Sequence, residues 1–316
     1  MKRVKSPRSI LVILLLMAGV SFLLFYDFGK SHSRIIDEIL DYSHLPLFGV
    51  VSLVILWILN HGKWPCTITK RYLQAGIITV FLAVLTEYIQ IFMPNRYFQL
   101  GDILNDTIGA AAFLWLAYSF LNNLPGLAKA LNRWAAILLM ILPAIPIFVA
   151  AIDTWNMERN FPALSSFESV LEMSRWTQKE SMIHRSILHA TDGGYSLKTD
   201  LMPGSYPGIS MDYLANDWRG YESMSFDVFL EGPSPLSITV RINDRAHNDE
   251  FADRFNKSFQ IFPGKNHITI KLDDVRTAPK GREMGMGEIT NIIIFAYRLK
   301  EKRTVYFDNF RLEGGG

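Results

Sequence analysis

Five polar residues and a glycine lie between two apolar runs of this chain, in the order E-x2-Q-x5-R-x5-D-x2-N-x3-G. They are Glu87, Gln90, Arg96, Asp102, Asn105 and Gly109. A charged side chain near hydrocarbon is costly unless it is paired or faces a polar cavity, so such residues mark candidate functional sites. Carboxylates can act as general acids or bases, and an arginine beside them can hold a phosphate or carboxylate. The spacing therefore predicts a catalytic or binding site beside a membrane segment.

Helices must position these side chains. Five apolar segments have about the length that crosses a bilayer: residues 9–26, 45–60, 73–92, 103–121 and 134–152. Residues three apart share a helix face, so Glu87 and Gln90 at the end of the third segment face the same way. Asp102 and Asn105 at the start of the fourth segment do likewise. The glycine one turn further along permits close contact between helices. His44, which begins the second segment, is a further candidate, and the alternative is an interfacial or capping histidine.

Charge and hydropathy divide the chain into two domains. Residues 1–152 contain 12 Lys and Arg against 7 Asp and Glu and nearly all the long apolar runs, whereas residues 153–316 contain 20 against 23. We expect a membrane domain over 1–152 and a soluble domain over 153–316. The basic excess lies beside membrane segments, where topology explains it, so no nucleic-acid partner is predicted. No small-x-small cleavage site follows the first segment, which predicts a retained anchor rather than a signal peptide.

The loops predict an orientation in the membrane. Nine Lys and Arg lie in the N-terminal region and the loops on its side, against three on the opposite side. The positive-inside rule then predicts a cytoplasmic N-terminus and an extracytoplasmic C-terminal domain. The single cysteine, Cys66, excludes an intrachain disulfide and lies in a predicted cytoplasmic loop. The five polar residues and the glycine then fall near the outer leaflet.

The run Thr86-Glu-Tyr-Ile-Gln through Asn105-Asp-Thr-Ile-Gly109 resembles the signature of the VanZ-like family of bacterial membrane proteins. The resemblance covers roughly residues 35–121. The family's Asp-Lys before a histidine corresponds here to Asp41-Tyr-Ser-His44, with no lysine. The resemblance implies a multi-pass protein of the bacterial cytoplasmic (inner) membrane, in a family of which some members are associated with resistance to the glycopeptide teicoplanin. It implies no settled reaction.

The second half is predicted to be an all-β sandwich. Short alternating runs such as 223–230, 236–242, 267–272 and 304–312 are separated by Gly, Pro, Asn and Asp turns. The ending Val305-Tyr-Phe-Asp-Asn-Phe-Arg-Leu312 resembles the last strand of the galactose-binding-like jelly rolls found in carbohydrate-binding modules. That resemblance implies a structural calcium held by Glu168 and Asp308.

A sugar site in such a sandwich needs an aromatic platform and polar side chains. Trp218 is the aromatic candidate, and the alternative is a core tryptophan. The loop 243–255 is dense in hydrogen-bonding groups, so we take Asp244, His247, Asp253 and Arg254 as ligand-binding candidates. A solvated surface loop would have the same composition.

Three functions are compatible with the sequence. The chain is a membrane enzyme acting on a lipid-linked envelope precursor, a non-catalytic protein that binds membrane lipid and envelope polysaccharide, or a scaffold whose polar residues serve helix packing. No phosphate-binding glycine loop, zinc spacing or nucleophile elbow occurs. The sequence does not decide whether the protein is an enzyme or what its oligomeric state is.

Overall fold

The computed structural model describes Gly19 and residues 33–62, 66–93, 98–122 and 125–315. The chain forms two compact units. Ile35–Phe148 belongs to the first, and Val149–Gly316, together with Ser33 and Arg34, belongs to the second. The first unit is helical and the second consists mainly of antiparallel strands.

Long apolar helices make up the first unit. They are α1 (Arg34–His61), α2 (Ile68–Gln90), α3 (Leu100–Leu121), α4 (Gly126–Ile141) and α5 (Ile145–Asn160), the last of which continues into the second unit. A single 3-10 turn joins α4 to α5. In the described part of the chain, four helices are long and apolar enough to cross a membrane, with Gly126–Asn160 counted as one. Four of the five predicted segments thus coincide with such helices, and the segment at 9–26 lies outside the described residues.

Helix α2 presents large apolar side chains outward and small or polar ones inward. On α2 the buried residues are Ala75, Thr79, Ala83, Glu87 and Gln90, most of them four apart. Large apolar side chains of the same helix, such as that of Phe81, are exposed. A water-soluble helix has the opposite distribution, with its large apolar side chains buried. The distribution on α2 is typical of a helix whose outer face meets lipid.

Glycine brings α1 and α3 together. A Cβ built on Gly109 would lie 2.0 Å from the carbonyl oxygen of Leu45, and one on Gly49 would lie 2.4 Å from the ring of Phe113. Only a residue without a side chain fits at either contact. Gly109 therefore makes the close helix contact that its position in the sequence predicts.

The second unit is a sandwich of two antiparallel sheets. Its strands are β1 (Ala163–Ser165), β2 (Trp176–Lys179), β3 (Ser181–Ser186), β4 (Ser196–Leu201), β5 (Gly208–Met211), β6 (Ser223–Leu230), β7 (Leu236–Asp244), β8 (Phe255–Ile261), β9 (Gly264–Lys271), β10 (Ile289–Phe295) and β11 (Arg303–Glu313). A short helix, α6 (Leu272–Arg276), follows β9. The first sheet has the order β3-β4-β11-β6-β9 with β1 beside β11, and the second has the order β2-β5-β10-β7-β8.

Alternating residues of both sheets form one continuous core. Phe226 of β6 stacks on Phe310 of β11 with ring centroids 4.8 Å apart, and Trp176 lies 5.1 Å from the same ring. Buried Asp153, on the part of α5 that belongs to this unit, accepts two hydrogen bonds from buried Arg175, at 2.7 and 2.8 Å. The unit thus has its own core and its own buried ion pair.

Candidate functional site

Four titratable side chains meet at one end of the helical unit. Because consecutive helices run in opposite directions, the start of α1, the end of α2 and the start of α3 lie at the same end. His44 comes from α1, Glu87 from α2, and Asp102 and Asp106 from α3. We call these four residues the helical cluster.

The histidine joins the acids of α3. Its Nδ1 lies 3.2 Å from Oδ1 of Asp106, and its Nε2 lies 3.8 Å from Oδ2 of Asp102. Ligand atoms of His44, Glu87 and Asp102 all lie within 4.8 Å of one another. Oε2 of Glu87 also accepts a hydrogen bond from the backbone N–H of Gln99, at 3.0 Å. The structure therefore brings together three of the candidates predicted from the sequence.

Asp106 is the member that sequence reasoning missed. Its side chain is buried, and Oδ2 has no hydrogen-bond partner among the described residues. The signal that could have found it is the helical repeat, since Asp106 follows Asp102 by four residues and shares its face.

The remaining residues predicted for this site are Gln90, Asn105 and Arg96, and none of them is a member of the helical cluster as defined above. Gln90 is buried on the same face of α2 as Glu87. Asn105 lies beside the cluster and donates a hydrogen bond from Nδ2 to the carbonyl oxygen of Asp41, at 3.2 Å. Arg96 lies outside the described residues, so its part in the site stays a prediction.

In the sandwich, an arginine that sequence reasoning did not single out organises the predicted ligand loop. The Arg282 guanidinium donates two hydrogen bonds to Asp244, at 2.6 and 2.8 Å, and two to Asp253, at 2.5 and 3.0 Å. Nδ1 of His247 lies 2.7 Å from the carbonyl oxygen of Asp253. These contacts give the three predicted residues a structural role in fixing the loop, and their binding of a ligand stays a prediction.

Trp218 is a core residue. Its side chain is 1% exposed, and its Nε1 donates a hydrogen bond to the carbonyl oxygen of Ala215, at 2.8 Å. A buried ring cannot present its face to a sugar. The alternative, that Trp218 is a core tryptophan, is therefore the one that the structure shows.

Glu168 and Asp308 anchor the same loop between β3 and β4. Oε1 of Glu168 accepts hydrogen bonds from the backbone N–H groups of Gly194 and Tyr195, both at 2.8 Å. Oδ2 of Asp308 accepts from those of Thr191 and Asp192, at 2.5 and 3.0 Å. Oxygens that face N–H donors are poorly placed to bind calcium, which requires six or more oxygen ligands. The geometry does not support the calcium implied by resemblance.

The outer face of the second sheet carries a different set of polar side chains. Core residues alternate with outward residues on β7 and β10, and the outward residues pair across strands as Asn243 with Asn291 and Arg241 with Ile293. Arg241 also pairs with Asn256 of β8. Arg254 directly precedes β8. We call the following five residues the polar face: Arg241, Asn243, Arg254, Asn256 and Asn291.

Several atoms of the polar face have unused hydrogen-bonding capacity. Among the described residues, Oδ1 of Asn243, Oδ1 of Asn291, Nδ2 of Asn256 and Nε of Arg254 are buried without a hydrogen-bond partner. Buried polar atoms are normally paired, so four such atoms on one face require an explanation. Burial, together with the neighbouring Arg254 guanidinium, lowers the pKa of Arg241.

Aromatic rings border the polar face. The Arg241 guanidinium lies 5.2 Å from the centroid of the Phe295 ring. Tyr206 packs against Phe295 and Tyr297 with centroid distances of 5.7 and 5.3 Å, and both tyrosines are about half exposed. Exposed rings beside amides and guanidinium groups are a usual composition for a ligand site.

The first sheet has a groove of about 410 Å³ on its outer face. Asp227 and Asp308 lie directly opposite each other on β6 and β11, and the His189 ring stacks on Phe229 at 3.5 Å. Burial raises the pKa of Asp308, although backbone N–H donors oppose it. Burial also acts to raise the pKa of Asp227, but hydrogen bonds from Thr191 and His267 lower it below its usual value. Both carboxylates of this groove already have partners.

No family model matches the chain, and no curated protein matches it. Among solved structures, about half of this chain is similar to two carbohydrate-binding modules over nearly their whole length and to part of an agarase. An exo-beta-agarase has 16% identity and a TM-score of 0.41, covering 49% of this chain and 25% of its own. The family 11 carbohydrate-binding module from Clostridium thermocellum, in complex with a beta-1,3-1,4-mixed-linked tetrasaccharide, has 20% identity and a TM-score of 0.38, covering 48% and 95%.

The CBM22-1 xylan-binding domain from Paenibacillus barcinonensis Xyn10C has 14% identity and a TM-score of 0.35, covering 49% of this chain and 95% of its own. The chain matches about a quarter of the length of the agarase. All three TM-scores lie below 0.5, so the description of the sandwich rests on its strand order and register.

Proposed function

We propose that this chain is a membrane-anchored protein of the bacterial cell envelope whose sandwich binds a glycan on the polar face. The observation that carries the proposal is the group of four buried polar atoms that lack partners among the described residues, beside exposed aromatic rings. Sugar hydroxyls both donate and accept hydrogen bonds, so they can pair with amide oxygens, amide N–H groups and guanidinium groups alike.

The charge of the polar face favours a glycan with acidic groups. The Arg254 guanidinium is close enough to act on that of Arg241, and the outward residues of β7, β8 and β10 include no carboxylate, although Asp249 in the preceding loop acts on Arg254. Guanidinium groups bind carboxylates and phosphates through charge-assisted hydrogen bonds. An envelope polysaccharide that carries uronate or phosphate groups fits this face better than a neutral one.

The VanZ-like resemblance and the loop charges support the location. They favour a multi-pass protein with the sandwich outside the cytoplasm, where envelope polysaccharides are found. A link to teicoplanin resistance is part of the same proposal and comes from the resemblance alone.

A binding assay tests the glycan proposal. Acidic and neutral envelope polysaccharides would be titrated into the full chain in detergent and into its Arg241→Ala and Arg254→Ala variants. A hydrogen bond to a charged group contributes about 1.5–3 kcal/mol, so each variant should weaken binding by roughly tenfold or more. Lys198→Ala, on the outer face of the first sheet, is the matched control. A folded protein that binds none of these polysaccharides would refute the proposal.

The helical cluster supports a second candidate function, proton transfer to or from a lipid-linked precursor. The specific observation is the His44 imidazole held between Asp106 and Asp102. Glu87 or Asp102 would be the general acid or base, and Arg96 would hold an anionic group. If correctly inserted Glu87→Gln and Asp102→Asn variants leave precursor composition and teicoplanin susceptibility unchanged, this candidate fails.

A further inference from the structure

The helical cluster has the donor set of a divalent metal site. We propose that His44, Glu87 and Asp102 bind one divalent cation of the zinc or manganese class, with Asp106 as a positioning residue. The proposal is independent of the sandwich and of its glycan.

The orientation of the imidazole is the first argument. Nδ1 of His44 faces Oδ1 of Asp106 at 3.2 Å, and a carboxylate there requires Nδ1 to carry the proton. The lone pair of Nε2 is then directed to the side of Asp102, 3.8 Å away. Histidines that bind metals almost always donate their other ring N–H to a carboxylate or carbonyl in this way.

Distance is the second argument. Zinc binds nitrogen and oxygen at about 2.0–2.2 Å, so two ligands of a tetrahedral site lie about 3.4 Å apart. The three candidate ligand atoms already lie within 4.8 Å of one another. A shift of about 1 Å in each side chain would bring them to these binding distances without movement of the helices.

Burial is the third argument. Glu87, Asp102 and Asp106 are each at most 5% exposed, so three carboxylates and an imidazole share one buried place. A divalent cation offsets the cost of gathering negative charge away from water. Oδ2 of Asp106, which has no hydrogen-bond partner among the described residues, adds a further buried oxygen there.

The donor types select the metal. One imidazole with carboxylates suits zinc or manganese, whereas calcium and magnesium prefer sites made entirely of oxygen. Three protein ligands leave a coordination position for water or for an anionic group of a ligand.

Metal analysis of the full chain tests the proposal. The protein would be purified in detergent without chelators, analysed for bound metal, then stripped and titrated with Zn²⁺ or Mn²⁺ alone. We expect saturable binding of one ion per chain. His44→Ala should abolish it, and Asp106→Asn should weaken it by about 10–100-fold because the imidazole loses its orienting carboxylate. Glu158→Gln, which removes an exposed carboxylate outside the helical cluster, is the control.

Two results would overturn the proposal. One is a folded wild-type protein with no saturable binding of either ion. The other is metal binding that appears only when Arg96 is replaced by Gln, which would make the arginine the cation of the cluster. Because each readout is metal content or affinity, failure here is distinct from failure of glycan binding.

Discussion

At the scale of single residues, Gly109 determines how closely α1 and α3 approach. The backbone carbonyl of Leu45 lies where a Gly109 side chain would be, and Leu45 is the residue after His44. The glycine therefore places the imidazole within hydrogen-bonding distance of Asp106. A packing residue and a site residue depend on the same contact.

Gly109→Ala should destabilise the helical unit. The added Cβ would lie 2.0 Å from the Leu45 oxygen, so the helices must separate, and overpacking of this kind typically costs about 1–3 kcal/mol. Thermal unfolding in detergent measures the effect. Gly101→Ala, in the first turn of the same helix with no atom of the described residues within 4 Å of its added Cβ, is the control, and equal melting of the two variants would contradict the prediction.

Residue types and spacing identify most, but not all, members of the helical cluster from the sequence. The sequence identifies Glu87, Asp102 and His44, because charged groups beside apolar runs stand out. It selects Asn105 rather than Asp106, because the spacing of the pattern is linear whereas contact depends on helical phase. Asn105 is turned toward the backbone of α1, and Asp106 meets the imidazole.

At the scale of elements, Arg282 fastens the loop after β7 to the segment before β10. Its four hydrogen bonds to Asp244 and Asp253 join groups far apart in sequence. Sequence alone could not predict this pairing, since nothing local links position 282 to position 253. Of the polar face, the sequence identifies only Arg254, because the other four residues come from separate strands and nothing local links them.

Low pH should weaken the ion pair between Arg282 and Asp253. The Arg282 guanidinium lowers the pKa of Asp253 to about 2, so its contribution to stability is present above the usual carboxyl range near pH 4 and is lost as pH falls through about 2. The stability difference between the wild type and Asp253→Asn should therefore shrink between about pH 4 and about pH 2. Thermal unfolding at several pH values measures it, with Asp249→Asn in the same loop as the control. A constant difference across this range would refute the prediction.

At the scale of the whole molecule, the chain consists of two units that differ in how many large apolar side chains they expose. The helical unit exposes many large apolar side chains, whereas the sandwich buries most of its apolar residues in one core. Composition and alternation anticipate these two kinds of unit, because hydropathy reflects which surface meets water. They do not identify the buried ion pair on which a unit depends.

Asp153 belongs to such a pair in the sandwich unit. Replacing it with Ala would leave the buried Arg175 guanidinium without its main partner, and breaking a buried ion pair costs about 3–5 kcal/mol. Denaturant unfolding of the sandwich, followed by tryptophan fluorescence, measures the loss. Glu158→Ala, which removes an exposed carboxylate from the same helix, should have little effect, and similar unfolding of both variants would count against the prediction.

The helical cluster draws on three successive helices, which has a consequence for biosynthesis. Its members leave the ribosome in the order His44, Glu87, Asp102 and Asp106, so the cluster cannot be complete until α3 has been made. His44 and Glu87 are therefore synthesised before the carboxylates of α3 that belong to the same cluster. All four residues lie within about three turns of a helix end, so if the helices insert into a membrane, as proposed above, these polar side chains can stay near its surface until α3 has been made.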